Sequence, residues 1–196
     1  MNKKKYTALI IGSIVLVIVI FMIVTYNGLV NKDEKVKLQV NEVQNAYQRR
    51  LDLIPNIVNV VKGISDFEQT TLEQIAAARN KAASINVNAN NVSANEFNQQ
   101  AAAQDELASV ANNLIIRIEK YPNLKGTKAY SGLQTQLEGT ERRIKIARKD
   151  FNDAINKYNT AVRTFPTKLV AGIFGFKERT GFQSDAGADK SVEIKF

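Results

Sequence analysis

The side chains best placed to do chemistry are charged groups that interrupt apolar helical stripes. Val36, Val40, Val43, Tyr47, Ile54, Ile57 and Val61 recur in steps of four and three, and Arg50 fills the one gap where this seam should be apolar. In a second stripe, Glu141, Arg142 and Arg143 lie beside the weak seam residue Thr140. An unpaired charge in a packed seam is costly, so Arg50 needs a partner. The spacing predicts a buried or half-buried polar layer drawn from Arg49, Arg50, Asp52, Arg79, Glu141, Arg142 and Arg143. Such a layer has two uses. It fixes helix register, as polar seam residues do in coiled coils, or it forms a pocket for a ligand or partner. Register is the ordinary role.

Other arrangements carry less. Lys62 and Ser65 are neighbours at a helix end, Asp150 and Asp153 have the spacing of a solvated face, and Asn152, Asn156, Tyr158 and Asn159 form a polar stripe of the kind usually solvated. The chain has neither histidine nor cysteine. This removes the commonest general base, the commonest transition-metal ligand, thiolate nucleophiles and disulfides. No catalytic, cofactor or metal site is expected, and no enzymatic activity.

The elements that position these residues begin at a membrane. From Tyr6 to Asn31 there is no charged residue, and Lys3, Lys4 and Lys5 stand directly before the run. Its centre, Thr7 to Thr25, rises about 28 Å as a helix, enough to cross a hydrocarbon core with Tyr6 and Tyr26 at the interfaces. A cleaved signal peptide would have a shorter core and a small-x-small site. Bulky Val24, Tyr26 and Leu29 stand there instead, so an uncleaved single-pass anchor at 6–26 is expected after a basic segment at 1–5. Lysines lie on both sides, with Lys32, Lys35 and Lys37 following the span. The N-terminal three abut the membrane edge and favour a cell-membrane protein with its domain outside the cytoplasm.

Nothing between Tyr26 and Val36 stops a helix, so the anchor runs into the first bundle helix, and Pro55 should bend it. Gly63 and Asp66 read as a C-cap and a new N-cap, opening a helix over Phe67, Leu72, Ile75, Ala78, Ala82 and Ile85. After an Asn-rich tip at 86–95, a third helix from about Glu96 to Lys120 carries Phe97, Leu107, Val110, Ala111, Leu114, Ile115 and Ile118. The fourth has the most regular pattern: Tyr130, Leu133, Leu137, Thr140, Ile144, Ala147, Phe151, Ala154, Tyr158, Ala161 and Phe165, stopped by Pro166. The expected fold is all-α. An N-terminal transmembrane helix is followed by an antiparallel up-down four-helix bundle with long first and last helices, one domain at 27–182, and a loose tail at 183–196.

If the last helix returns to the membrane surface, it delivers Lys168, Leu169, Ile173, Phe174, Phe176 and Lys177 there. Apolar groups bracketed by cations insert as a shallow anchor, or they fold back to cap the bundle. The net charge of +8 is spread with acids interleaved. Nucleic-acid binding would need clustered basic and aromatic residues, and is not expected.

The motifs Tyr26-Asn27-Gly28-Leu29-Val30, Tyr47-Gln48-Arg49-Arg50-Leu51-Asp52-Leu53-Ile54-Pro55-Asn56 and Val61-Lys62-Gly63 stand in order along the chain. Ala78-Arg79, Tyr121-Pro122, Glu141-Arg142-Arg143-Ile144, Ala147-Arg148, Phe151-Asn152, Tyr158-Asn159, Arg163, Phe165-Pro166 and Phe174-Gly175-Phe176 follow them. Together they resemble the signature of the LemA family of bacterial membrane proteins, from the anchor to about Phe182. The resemblance implies a single-pass membrane protein with a helical bundle and no agreed biochemical activity. The function expected is that of an interaction or scaffold module for a protein partner of unknown identity, with self-association left open. The alternative is a bundle that senses a small ligand and signals through a membrane partner.

Overall fold

Apolar steps of three and four build helices, and the computed structural model contains five of them among the residues it describes, 3–62, 69–85, 87, 94–118, 120–121 and 127–182. They are α1 (Lys3–Lys62), α2 (Gln69–Ser84), α3 (Ala94–Ile118), α4 (Lys128–Arg163) and α5 (Thr167–Phe174). The described residues contain no strand, and the fold is all-α. The cap residues Gly63 and Asp66, Phe67, most of the Asn-rich tip, residues 122–126 and the tail from Gln183 lie outside the described residues.

The apolar run and the first bundle helix are one element. α1 is an unbroken helix of 60 residues, about 90 Å of rise. Gly28 leaves it intact, and so does Pro55, which lies inside it. Over the apolar run, Leu9, Ile14, Leu16, Val17, Ile20 and Val24 are all exposed. A surface of that kind is stable in lipid and costly in water, and this stretch is the candidate membrane span of the described residues.

The chain divides into two compact units, Met1–Val40 with Asp150–Arg179, and Asn41–Lys149 with Thr180–Phe196. In the second, the remainder of α1, α2, α3 and the first part of α4 form an antiparallel four-helix bundle. Its core joins Leu51, Ile54, Ile57 and Val61 of α1, Ile75, Ala78 and Ala82 of α2, Leu107, Ala111, Leu114 and Ile118 of α3, and Tyr130 and Leu137 of α4. Each fully buried Leu or Ile contributes about 1.5–3 kcal/mol relative to exposure, so these stripes dominate the unit's stability. The exposed Lys81–Glu106 ion pair between α2 and α3, at 2.6 Å, adds at most about 1 kcal/mol.

In the first unit, Leu29, Val36 and Val40 of α1 are buried, as are Phe151, Ala154, Ile155, Tyr158 and Val162 of α4 and Val170 and Ala171 of α5. One member of the expected α4 stripe departs from it: Phe165 is 76% exposed. α4 ends at Arg163, and a turn with a cis Phe165–Pro166 bond follows, so Phe165 has left the helical period. α5 ends at Gly175, whose φ of 75° is left-handed and whose amide, with that of Phe176, donates to the Ala171 carbonyl.

Candidate functional site

Three helices of the second unit each place a polar residue on their seam at one level. Arg50 of α1 is buried, and all three of its guanidinium nitrogens donate. Nε donates to Glu141 Oε1 at 2.8 Å and Nη2 to Glu141 Oε2, while Nη1 donates to the Gln104 carbonyl at 2.7 Å and to Gln104 Oε1 at 3.2 Å. Glu141 comes from α4, at the edge of the seam beside the buried Thr140, whose hydroxyl donates to its own helix at Gln136 O. The pair is asymmetric: the Arg50 side chain is 2% exposed and that of Glu141 35%. A bidentate Arg–carboxylate pair fixes rotation as well as distance, so this contact sets the register of α1 against α4.

Arg79 of α2 is engaged differently. Pro55 has no amide hydrogen, and a residue with one at that position would bond the Leu51 carbonyl. That carbonyl accepts instead from Arg79 Nε at 3.0 Å. The half-buried guanidinium of α2 thus replaces the hydrogen bond that the proline deletes from α1. Arg49, Asp52, Arg142 and Arg143 are exposed, and Asp52 accepts from Gln48 on its own helix at 2.8 Å. The structure brings Arg50 and Glu141 together, sets Arg79 on a backbone carbonyl, and leaves those four on the surface.

Two further ties join the helices. Gln44 and Gln100 exchange amide hydrogen bonds at 2.7 and 2.8 Å, and Gln100 also donates to the Ile85 carbonyl beyond the end of α2 at 3.0 Å. Arg148 donates through Nε to the Tyr47 hydroxyl at 2.9 Å and through Nη1 and Nη2 to Asp105 at 3.3 and 2.5 Å. Its guanidinium also lies 5.1 Å from the ring of Phe182, which packs against Phe97 at 4.3 Å between centroids. Burial raises the Tyr47 phenol above its ordinary pKa, with the charge and hydrogen bond of Arg148 opposing that shift. Among the described residues, no buried side-chain nitrogen or oxygen lacks a partner.

The glutamines carried a sequence signal. Phe97, Gln100, Gln104, Leu107, Ala111, Leu114 and Ile118 continue one alternation of three and four, so Gln100 and Gln104 occupy seam positions just as Arg50 does. The Tyr47–Arg148–Asp105 cluster carried none, because it joins a seam residue of α1 to residues on the flanks of two other helices, distant in sequence. Gln44, Tyr47, Arg79, Gln100 and Gln104 also border a cleft of about 90 Å³. That is well below the roughly 300–1,000 Å³ of small-molecule sites.

The first unit holds a second constellation. The Asn159 side chain of α4 accepts from the Arg179 amide at 2.9 Å and donates to the Arg179 carbonyl at 2.7 Å. The Arg179 guanidinium pairs with Asp33 of α1 at 2.7 Å and lies 5.8 Å from the Tyr158 ring. The polar stripe beside the α4 seam therefore includes a clamp on the segment after α5. Nearer the span, the Tyr26 ring meets those of Phe174 and Phe176 at 4.8 and 5.8 Å between centroids. Lys168, Leu169 and Ile173 are exposed on α5, and Lys177 is exposed after it.

Comparison with known proteins supplies the relationship. The chain is 25% identical over 164 residues to "Protein LemA" of Metamycoplasma hominis, covering 78% of this chain and 71% of the relative. Shorter matches of 90 residues link it to "Magnetosome protein MamQ 2" of Paramagnetospirillum magneticum at 29% and "Magnetosome protein MamQ" of Magnetospirillum gryphiswaldense at 28%. Each covers 46% of this chain and only 33% of the relative, so the chain spans about a third of the magnetosome proteins it matches. The family model described as "LemA family" matches residues 39–196. That range takes in Arg50, Pro55, Arg79, Gln104 and Glu141 together with the Asn159–Arg179 clamp, and on it the chain belongs to the LemA family.

Proposed function

We propose that this protein is a membrane-tethered interaction module whose bundle presents a surface to a protein partner at the cell membrane, outside the cytoplasm, and catalyses no reaction. The observation that carries the proposal is the continuity of α1, which makes the candidate span and the first bundle helix a single element. A bundle built on the anchoring helix itself is joined to the membrane without a separate linker.

The interior supports a register role for the polar layer over a ligand role. Arg50 spends its hydrogen bonds on Glu141 and Gln104, and the two amides of Gln44 and Gln100 satisfy each other. A small ligand would have to break these pairs, and the cleft beside them has room for only a few waters. Lys3, Lys4 and Lys5 support the outward orientation.

Photo-crosslinking in intact cells tests the module. A crosslinking amino acid at exposed Ile116 of α3 or Ile146 of α4 is expected to capture a different protein at a discrete size. Adducts of the chain with itself alone would point to a structural oligomer instead. Protease added to spheroplasts tests orientation: an outward bundle is digested, and an inward one is protected.

A further inference from the structure

We propose that α5 is a second membrane contact, an interfacial helix whose exposed apolar face lies in the headgroup and upper acyl region of the bilayer that α1 crosses. The proposal rests on the membrane anchoring of α1 and identifies lipid as the partner of this one surface.

Position comes from two fixed points. Tyr26 directly follows the apolar run of α1, at the level where a spanning helix leaves hydrocarbon. Its ring touches Phe174 and Phe176, so the C-terminal end of α5 is held at that level. Farther out, the Arg179 guanidinium is paired with Asp33 and its backbone is gripped by Asn159. Asp33 is seven residues beyond Tyr26 in the sequence, about 10 Å along the helix. The residues from 174 to 179 are therefore held between the hydrocarbon edge and a point outside the headgroups, and α5 meets that depth range, the one interfacial helices occupy, at its C-terminal end.

The surface matches that depth. α5 buries Val170 and Ala171 against its own unit and turns Leu169, Ile173 and Phe174 outward, at 60%, 68% and 49% exposure. Phe165, just before the helix, adds a fourth exposed apolar group. In water this is an unfavourable display for a helix of eight residues. It is continuous through Phe174 and Tyr26 with the exposed apolar surface of the span, which itself requires lipid. Exposed Lys168 and Lys177 flank it and reach anionic headgroups while their stems lie along the apolar face. α5 thus both covers its unit, through Val170 and Ala171, and faces lipid.

The chain contains no tryptophan, so single substitutions report location directly. Full-length Leu169→Trp and Ile173→Trp proteins are placed in nanodiscs of phosphatidylcholine and phosphatidylglycerol brominated near either the headgroup end or the methyl end of the acyl chains. Val15→Trp in the span and Ile116→Trp in the bundle serve as references. The expected result is blue-shifted α5 emission, quenched more by shallow than by deep bromines and little by aqueous iodide. The Val15→Trp signal should favour deep bromines, and Ile116→Trp should respond to iodide alone. Iodide quenching of both α5 probes, with no bromine effect, overturns the proposal. Protection from both quenchers also overturns it and places protein, such as a second copy, on the surface. If Val15→Trp escapes the bromines, the anchoring itself fails, and the proposal with it.

Discussion

Pro55 and Arg79 should be energetically coupled although they lie on different helices. Replacing Arg79 by Met in the native protein removes the side-chain donor from the Leu51 carbonyl, in a residue only 7% exposed. Losing a charge-assisted hydrogen bond to a carbonyl costs about 1.5–3 kcal/mol, and Arg79 is only half-buried, so about 2 kcal/mol is expected. In a Pro55→Ala background the backbone amide restored at this position takes the same carbonyl, and the Arg79→Met cost should fall below about 1 kcal/mol. The double-mutant coupling is then about 1–1.5 kcal/mol, or roughly tenfold in the unfolding equilibrium. Urea unfolding of the four full-length proteins in detergent, followed by helical circular dichroism, measures it. An Arg79→Met cost that is the same in both backgrounds, within about 0.3 kcal/mol, would refute the replacement of the missing amide by Arg79.

Three other outcomes follow from the geometry. Glu141→Ala strands a buried Arg50 and should cost about 2–3 kcal/mol, whereas Arg50→Met leaves a Glu141 that already reaches water but takes the donor from the buried Gln104 Oε1, and should cost about 1–2 kcal/mol; the reverse order in the same urea assay would contradict the unequal burial of the pair. Gly175→Ala meets no atom within 4 Å, so its cost is the left-handed backbone alone, about 1 kcal/mol, read as roughly fivefold faster hydrogen exchange at the Phe176 amide. Burial raises the Tyr47 pKa in the folded state, so unfolded chains lose this proton first as pH rises. The linked stability is complete below about pH 10 and declines above it, and tyrosinate absorbance should show Tyr47→Phe removing one late-titrating phenol.

Much of this architecture was legible in the residue spacing. The steps of α1 from Val36 to Val61 identified the buried seam, and the chemistry of one seam position identified Arg50 as a residue requiring a partner. Pro55 named the carbonyl that would lose its helical donor, but nothing in the spacing said that Arg79 would supply another. The surface positions of Arg49, Asp52, Arg142 and Arg143 follow from the same period that buries Arg50, because each is a step or two off the seam. Arg179 lies beyond the last helix, where no period operates. Its attachment to Asp33 and Asn159 depends on chain return after Gly175, which sequence spacing does not describe.

The candidate span, the helix type, the stripes and the need for polar partners within them were set by local chemistry: hydropathy over about 19 residues, a period near 3.6, and the cost of an unpaired charge. Tertiary structure decided which partners answered. It chose Glu141 and Gln104 for Arg50 and a backbone carbonyl for Arg79, and it brought Phe174 to Tyr26. The reason is physical: periodicity specifies the face a residue occupies, while the level at which two faces meet depends on how every helix packs at once.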